Sequence, residues 1–64
     1  MLKDTVEIDI SYNETTQQWE VSDNGQTFST EYFQKKEDAE GIADLREWHY
    51  RELGFLTEIS VWQY

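Results

Sequence analysis

The chain of 64 residues contains no cysteine and no proline, and it has only five Lys and Arg and one His. Without cysteine there is no disulfide framework and no thiolate metal site, and a single His does not make a zinc site. The chain also lacks a Gly-rich phosphate-binding loop and a run of about 18 apolar residues that would span a membrane. We therefore expect no metal, no cofactor and no membrane association, and we predict a soluble, cytoplasmic protein.

Negative charge is what the chain has in excess. Fourteen Asp and Glu leave a formal net charge of −9. A small body with this charge repels nucleic acid and membrane surfaces, which attract basic proteins. We therefore predict no direct binding to nucleic acid, and we expect the partner to be a basic protein surface.

Aromatic residues must supply much of the core. The chain has three Trp, four Tyr and three Phe, and a large ring buries roughly 150–250 Å². No linker and no internal repeat divides the sequence. We predict a single acidic domain over residues 1–64.

Apolar and polar residues alternate in three stretches, which predicts half-buried strands. The residues predicted to face the core are Val6, Ile8, Ile10 and Tyr12, then Trp19 and Val21, and then Thr57, Ile59 and Val61. Asn24-Gly25 follows the second stretch, and this dipeptide favours a type I′ hairpin turn. It predicts a tight hairpin and another strand from Gln26 to about Thr30.

A helical period replaces the alternation from Gln34 to about Leu53. The predicted core-facing residues are Ala39, Ile42, Ala43, Leu45, His49, Tyr50 and Leu53, and Arg46 intrudes among them. Gly54 is predicted to end the helix, and Gly41 to mark close packing against the sheet. The predicted fold class is α+β: a small two-layer domain with an antiparallel sheet and one helix packed on one face, in the order β-β-β-α-β.

Several short motifs follow one another in the middle of the chain: Trp19-Glu20-Val21, Gly25, Phe33, Lys35-Lys36-Glu37 and Ala39-Glu40. Over residues 6–53 this series resembles the arm domains of phage-type integrases, in which three strands precede a helix. Gln34 replaces the usual capping Thr or Ser of that family, and acidic residues replace the basic residues of its DNA-binding strands. The element order is also similar to that of HicB-type antitoxin domains, although their Pro-bearing loop is missing. We assign no single family.

Two groups of carboxylates are candidate partner-binding surfaces. The helical acidic row consists of Glu40, Asp44 and Glu47, which are spaced i, i+4, i+7 on the predicted helix. The acidic sheet face consists of Glu7, Asp9, Glu20 and Glu58, which point outward from the predicted strands. Either group would fit a basic channel that normally holds nucleic-acid phosphates. The alternative is a solvated surface, on which Arg51 partly compensates Glu47.

Three aromatic residues, Trp48, Trp62 and Tyr64, are predicted to point away from the core. Outward aromatic side chains are enriched among interface anchors. They would contact a protein partner, or the Pro-free terminal strand would pair with its own copy and form a homodimer. His49 is predicted to be a packing or hydrogen-bonding residue at the edge of the core.

These observations predict a binding protein and not an enzyme, because a two-layer fold of this size offers little cleft for paired carboxylates to act in. The leading hypothesis is a small acidic inhibitor that mimics nucleic acid and blocks a nucleic-acid-handling enzyme. Anti-CRISPR, anti-restriction and repair-inhibitor proteins of phages or mobile elements are examples of this type, and such a protein would act in the host cytoplasm. The alternative is a structural or assembly protein that acts as a homodimer and inhibits nothing.

Overall fold

One helix packs on a four-stranded sheet in the computed structural model, which describes residues 5–25 and 27–62. The elements are β1 (Thr5–Asn13), β2 (Gln18–Asp23), β3 (Glu31–Phe33), α1 (Lys36–Glu52) and β4 (Leu56–Trp62). The α+β class, the order β-β-β-α-β and the packing of the helix against the sheet are confirmed.

The sheet is mixed, with the strand order β3-β2-β1-β4. The β1–β2 and β2–β3 pairs are antiparallel, whereas β1 and β4 are parallel. The prediction of a purely antiparallel sheet is therefore wrong. The reason is the helix, which carries the chain back along the sheet after β3, so that β4 runs in the same direction as β3 and β1.

The tight turn of the sheet joins β1 to β2. Asn13 and Gln18 are the last paired residues, and the Oδ1 atom of Asn13 accepts hydrogen bonds from the backbone N–H groups of Thr15 (2.9 Å) and Thr16 (3.3 Å). Gln17 takes a positive φ of 57°. An Asn side chain that bonds its own backbone two residues later is a standard turn-forming device.

The predicted hairpin at Asn24-Gly25 is wrong. Asn24 continues the pairing with β1, since its N–H donates to the carbonyl of Glu7 (3.2 Å) and its Oδ1 accepts from the N–H of Glu7 (2.9 Å). Residues 27–30 form no strand, and Gln26 lies outside the described residues. Gly25 instead allows a close approach, because a Cβ atom built there would lie 2.3 Å from the Oη atom of Tyr50.

The core lies between α1 and the inner face of the sheet. The buried apolar residues are Val6, Ile8, Ile10, Trp19, Val21, Ala39, Ala43 and Tyr50. All eight were predicted to face the core, and the small side chains of Ala39 and Ala43 let the helix approach the sheet closely. Tyr12, Ile42 and Ile59 are half-buried and pack against this cluster.

Three residues predicted to face the core are exposed: Leu45 (63 %), Leu53 (52 %) and Val61 (46 %). The buried stripe of the helix is narrower than predicted and runs through Ala39, Ala43, Arg46 and Tyr50. Leu45 lies on the flank of this stripe and Leu53 lies after the last helical residue. Val61 lies on β4, the edge strand, where a single helix covers the sheet incompletely.

Gly54 ends the helix as predicted, with a φ of 94°. Its N–H donates to the carbonyl of Arg51 (3.0 Å), and the N–H of Phe55 donates to the carbonyl of Tyr50 (3.0 Å). These two bonds define a Schellman motif, and the ring of Phe55 packs edge-on against Tyr50 as that motif favours. The prediction for Gly41 is wrong, because Gly41 is exposed and nothing lies within 4 Å of a Cβ atom built there.

Candidate functional site

The acidic sheet face lies on the side of the sheet opposite α1. The strand registers bring its four residues onto this one surface, with Glu7 beside Glu58, Asp9 between Ser22 and Ser60, and Glu20 beside Ser11. Glu7 and Glu58 are exposed, and Asp9 and Glu20 are half-buried. The helix that the structure describes packs on the other side, so all four predicted residues face outward together.

Glu7 and Glu58 are direct neighbours on the parallel strands β1 and β4. Adjacent strands lie about 4.8 Å apart, and like charges directly opposite each other destabilise a sheet. Three described cationic side chains lie elsewhere: Lys36 is over the ring of Trp19 on the inner side, Arg46 is buried beneath the sheet, and Arg51 pairs with Glu47 on the helix. Among residues 5–25 and 27–62, no ion pair involves a carboxylate of the acidic sheet face.

Neutral donors hold two of these carboxylates in place. Trp62 Nε1 donates to Asp9 Oδ1 (3.4 Å), and Asn13 Nδ2 donates to Glu20 Oε2 (2.9 Å). These bonds restrict the side chains without cancelling their charge. The acidic sheet face is therefore a negative surface whose charges are partly fixed in position.

Two exposed aromatic residues flank the acidic sheet face. Trp62 is 53 % exposed on β4 and Tyr32 is 57 % exposed on β3, and both lie in one row across the sheet with Ser11 and Glu20. Trp62 points outward as predicted. Tyr32 was not among the predicted site residues, because the third strand was predicted before residue 31 and because three residues are too few to show a strand period.

The helical acidic row is only partly available for binding. Glu40 and Asp44 are exposed, but Glu47 is half-buried. Glu47 Oε2 accepts a hydrogen bond from Thr57 Oγ1 (3.2 Å) and lies 3.6 Å from Arg51 Nη2. The compensation of Glu47 by Arg51 is therefore confirmed, and this row presents two uncompensated carboxylates where the acidic sheet face presents four.

The remaining predicted site residues lie apart from the acidic sheet face. Trp48 is 64 % exposed on the outer side of α1, and Tyr64 lies outside the described residues. His49 is half-buried, with its ring centroid 5.2 Å from that of Phe28 and 5.7 Å from that of Tyr50. It is thus a packing residue.

A buried polar network, which the sequence analysis also missed, joins α1 to the ends of β2 and β3. Arg46 is 2 % exposed and pairs with Asp23 (2.8 Å) and Glu31 (2.9 Å), and its Nη2 also donates to the carbonyl of Ser29 (2.7 Å). Tyr50 Oη donates to Asp23 Oδ1 (2.9 Å). The only signal in the sequence was that Arg46 falls on the apolar side of the helix.

Burial and the hydrogen bond to Asp23 raise the pKa of Tyr50 above its usual range. Both Nη atoms of Arg46 and both oxygens of Asp23 are engaged within the protein. Only Nε of Arg46 is buried without a hydrogen-bond partner in the described part of the chain, so the network is satisfied almost entirely within the protein. We assign it a role in folding and not in binding.

Within the described part of the chain, no group of three or more His, Cys, Asp or Glu side chains is arranged to hold a metal ion. No helix there has the length and apolar character needed to cross a bilayer. The fold and the site define a one-helix α+β domain with an open acidic sheet face. Comparisons of the chain with protein-family models, curated proteins and solved structures give no match, so the resemblances to integrase arm domains and HicB-type antitoxins stay predictions.

Proposed function

We propose that the protein is a small acidic inhibitor that binds the basic surface of a nucleic-acid-handling enzyme and excludes nucleic acid from it. One observation carries the proposal: Glu7 and Glu58 are paired across the sheet, on a face whose carboxylates form no ion pair with the described residues. This pairing lowers the stability of the domain. A basic partner would relieve the repulsion and convert it into binding free energy.

The mechanism is electrostatic and steric, with no chemical step. Carboxylates two residues apart on one strand lie about 6.6 Å apart, and neighbouring strands about 4.8 Å apart, so the negative charges form a two-dimensional array. A groove that binds phosphates is lined with Lys and Arg and would accept such an array. Trp62 and Tyr32 would add apolar contact at its two sides, where aromatic residues commonly anchor interfaces.

This function suits a protein of a phage or a mobile element, of the anti-CRISPR, anti-restriction or repair-inhibitor type, acting in the cytoplasm of the host. Exposed charges accelerate and tighten such binding through a field that salt screens over about 8–10 Å. We therefore expect affinity for the target to fall steeply as the salt concentration rises. We also expect the bound protein and a DNA duplex to exclude each other.

The test is a pull-down from cells of the source organism at low salt, followed by competition between the captured partner and a short DNA duplex. The variant Glu7→Lys/Glu58→Lys should lose the competition. The matched control is Glu40→Lys/Asp44→Lys, which changes the net charge equally on the exposed helix surface and should compete nearly as well as the unchanged protein. Equal losses in both variants would show that total charge matters and the acidic sheet face does not. A partner that binds regardless of salt and DNA would refute the proposal.

A second candidate function is assembly as a homodimer, without inhibition. The observation that favours it is the position of β4 at the edge of the sheet, since its side away from β1 is unpaired among the described residues. Sedimentation at micromolar concentration distinguishes the two states. A monomer at every concentration would remove this candidate.

A further inference from the structure

The strand β4 is an edge that has few of the usual protections against pairing. Natural edge strands are shortened, bent by bulges, or interrupted by Pro and Lys. The opposite edge, β3, has only three residues, whereas β4 has seven and contains neither Pro nor Lys. An edge of this kind readily accepts another strand.

The exposed side chains of β4 indicate which strand would pair with this edge. Leu56 is 63 % exposed at one end, and Val61 (46 %) and Trp62 (53 %) are exposed at the other end. A strand with apolar residues at both ends complements its own copy in the antiparallel direction. The Leu56 end of each copy then lies beside the Trp62 end of the other. A second copy of this chain is thus the occupant that the pattern fits.

The pairing register follows from the faces and the charges. Directly opposite residues of two antiparallel strands point to the same face of the sheet. The open faces of the two copies therefore stay on one side only if the two-fold axis lies where one residue is opposite its own copy, and not midway between two residues. An axis at Glu58 would place that carboxylate against its own copy, which is destabilising. An axis at Ser60 would place Glu58 against the ring of Trp62.

We propose that two copies pair through antiparallel β4 strands with the two-fold axis at Ile59, which joins their two acidic sheet faces into one continuous surface. In this register Leu56 meets Trp62 of the second copy on the open face. Glu58 meets Ser60, and on the helix side Thr57 meets Val61 while Ile59 meets itself. The apolar ends are covered and no carboxylate faces its own copy.

The dimer has an opposite salt dependence to that of target binding. Glu47 contacts Thr57, so the helical acidic row lies on the β4 side of α1, and the rows of the two copies face each other across the axis. The two Glu58 side chains also come within one Debye length of each other. Salt screens both repulsions and therefore favours the dimer, whereas it weakens the binding of a basic partner.

The dimer does not depend on the proposed inhibitory function. Only the use of the joined acidic surface to bind a basic partner rests on that function. The absence of native cysteine makes disulfide trapping specific. Opposite residues of antiparallel strands lie about 4.5–5.5 Å apart at Cα, within the range that a disulfide spans. A cross-link therefore reports which residues are opposite each other.

In the experiment, Thr57→Cys and Val61→Cys proteins, both of which retain Glu58, are mixed and mildly oxidised. We expect a mixed disulfide between positions 57 and 61, and a sedimentation profile that shifts toward dimer as salt rises. Ser60→Cys reports the competing axis, because it would cross-link to itself only if the axis lay at Ser60. Self-cross-linking of Ser60→Cys without the mixed disulfide would overturn the register.

A charged edge variant separates this inference from the proposed function. Val61→Lys places a charge on the exposed edge and should make the protein monomeric, whereas Leu45→Lys, an equal change on the exposed helix flank, should leave the dimer intact. A monomeric unchanged protein that still competes with DNA would overturn the dimer and keep the proposed function. A dimer with the mixed disulfide that does not compete with DNA would confirm the dimer and overturn the proposed function.

Discussion

The guanidinium of Arg46 lies 2.8 Å from the carboxylate of Asp23, and the side chains are 2 % and 0 % exposed. This pair connects the middle of α1 to the last residue of β2. Glu31 and the hydroxyl of Tyr50 bind to the same pair, so the charges are surrounded by hydrogen-bond partners. Such partners offset the cost of removing two charges from water, and losing one member leaves the other unpaired.

We expect Arg46→Met to lower the free energy of unfolding by about 3–5 kcal/mol, because Asp23 would remain as a buried charge without its partner. Urea denaturation followed by circular dichroism measures the change. In the control Arg51→Met the exposed pair with Glu47 is lost, which should cost only about 0.3–0.5 kcal/mol. Adding Asp23→Asn to Arg46→Met should restore part of the loss. Equal, small effects of Arg46→Met and Arg51→Met would contradict a stabilising role of the pair.

Two glycine substitutions should have opposite effects on stability. Gly25→Ala would press a methyl group against the buried ring of Tyr50, and such overpacking costs about 1–3 kcal/mol. Gly41→Ala meets open space inside the helix and should raise the free energy of unfolding by about 0.8–1 kcal/mol. Thermal or urea unfolding of the two variants measures both effects. A stabilised Gly25→Ala variant would contradict the overpacking, because it would show that the backbone at residue 25 moves away from the ring of Tyr50 without cost.

Local patterns in the sequence predicted much of the fold. The alternation of Val6, Ile8 and Ile10 indicated a half-buried strand, and Gly54 marked the end of the helix, because these features depend on neighbouring residues alone. The hairpin at Asn24-Gly25 failed because tertiary contacts overrode the local preference. Asn24 bonds to Glu7, seventeen residues earlier in the chain.

The candidate site was partly predictable for the same reason. Outward placement of Glu7, Asp9, Glu20 and Glu58 follows from strand alternation, so the sequence alone placed these four side chains on the outer face. Their arrangement depends on the strand order, and the pairing of Glu7 with Glu58 follows from the register in which β4 lies beside β1. The ion pair of Glu47 with Arg51 followed from their i,i+4 spacing, whereas the hydrogen bonds of both side chains with Thr57 required the packing of α1 beside β4.

Tyr50 should make the protein sensitive to alkaline pH. Burial and the bond to Asp23 raise its pKa, so the folded state retains the phenolic proton more strongly than the unfolded state. The stabilisation is fully present below about pH 10, the ordinary pKa of tyrosine, and is lost as the pH rises through the higher pKa of the folded state. Urea unfolding at pH 7 and in steps above pH 9 measures the loss. The advantage of the unchanged protein over Tyr50→Phe should narrow above pH 10, and an unchanged gap would contradict the raised pKa.

The acidic sheet face should trade stability for binding. Glu58→Lys would replace the repulsion between Glu7 and Glu58 with attraction, so we expect the free energy of unfolding to rise by about 0.2–1 kcal/mol. The gain should shrink at high salt, because the effect is Coulombic and the side chains are exposed. The same variant should bind the basic target less tightly and compete less well with DNA. Glu40→Lys is the control, since Glu40 is exposed on the helix and has no cross-strand carboxylate. Unfolding curves at low and high salt measure the free energy of unfolding, and the competition assay measures binding to the target. A Glu58→Lys variant that is less stable than the unchanged protein, or that competes with DNA equally well, would contradict this prediction.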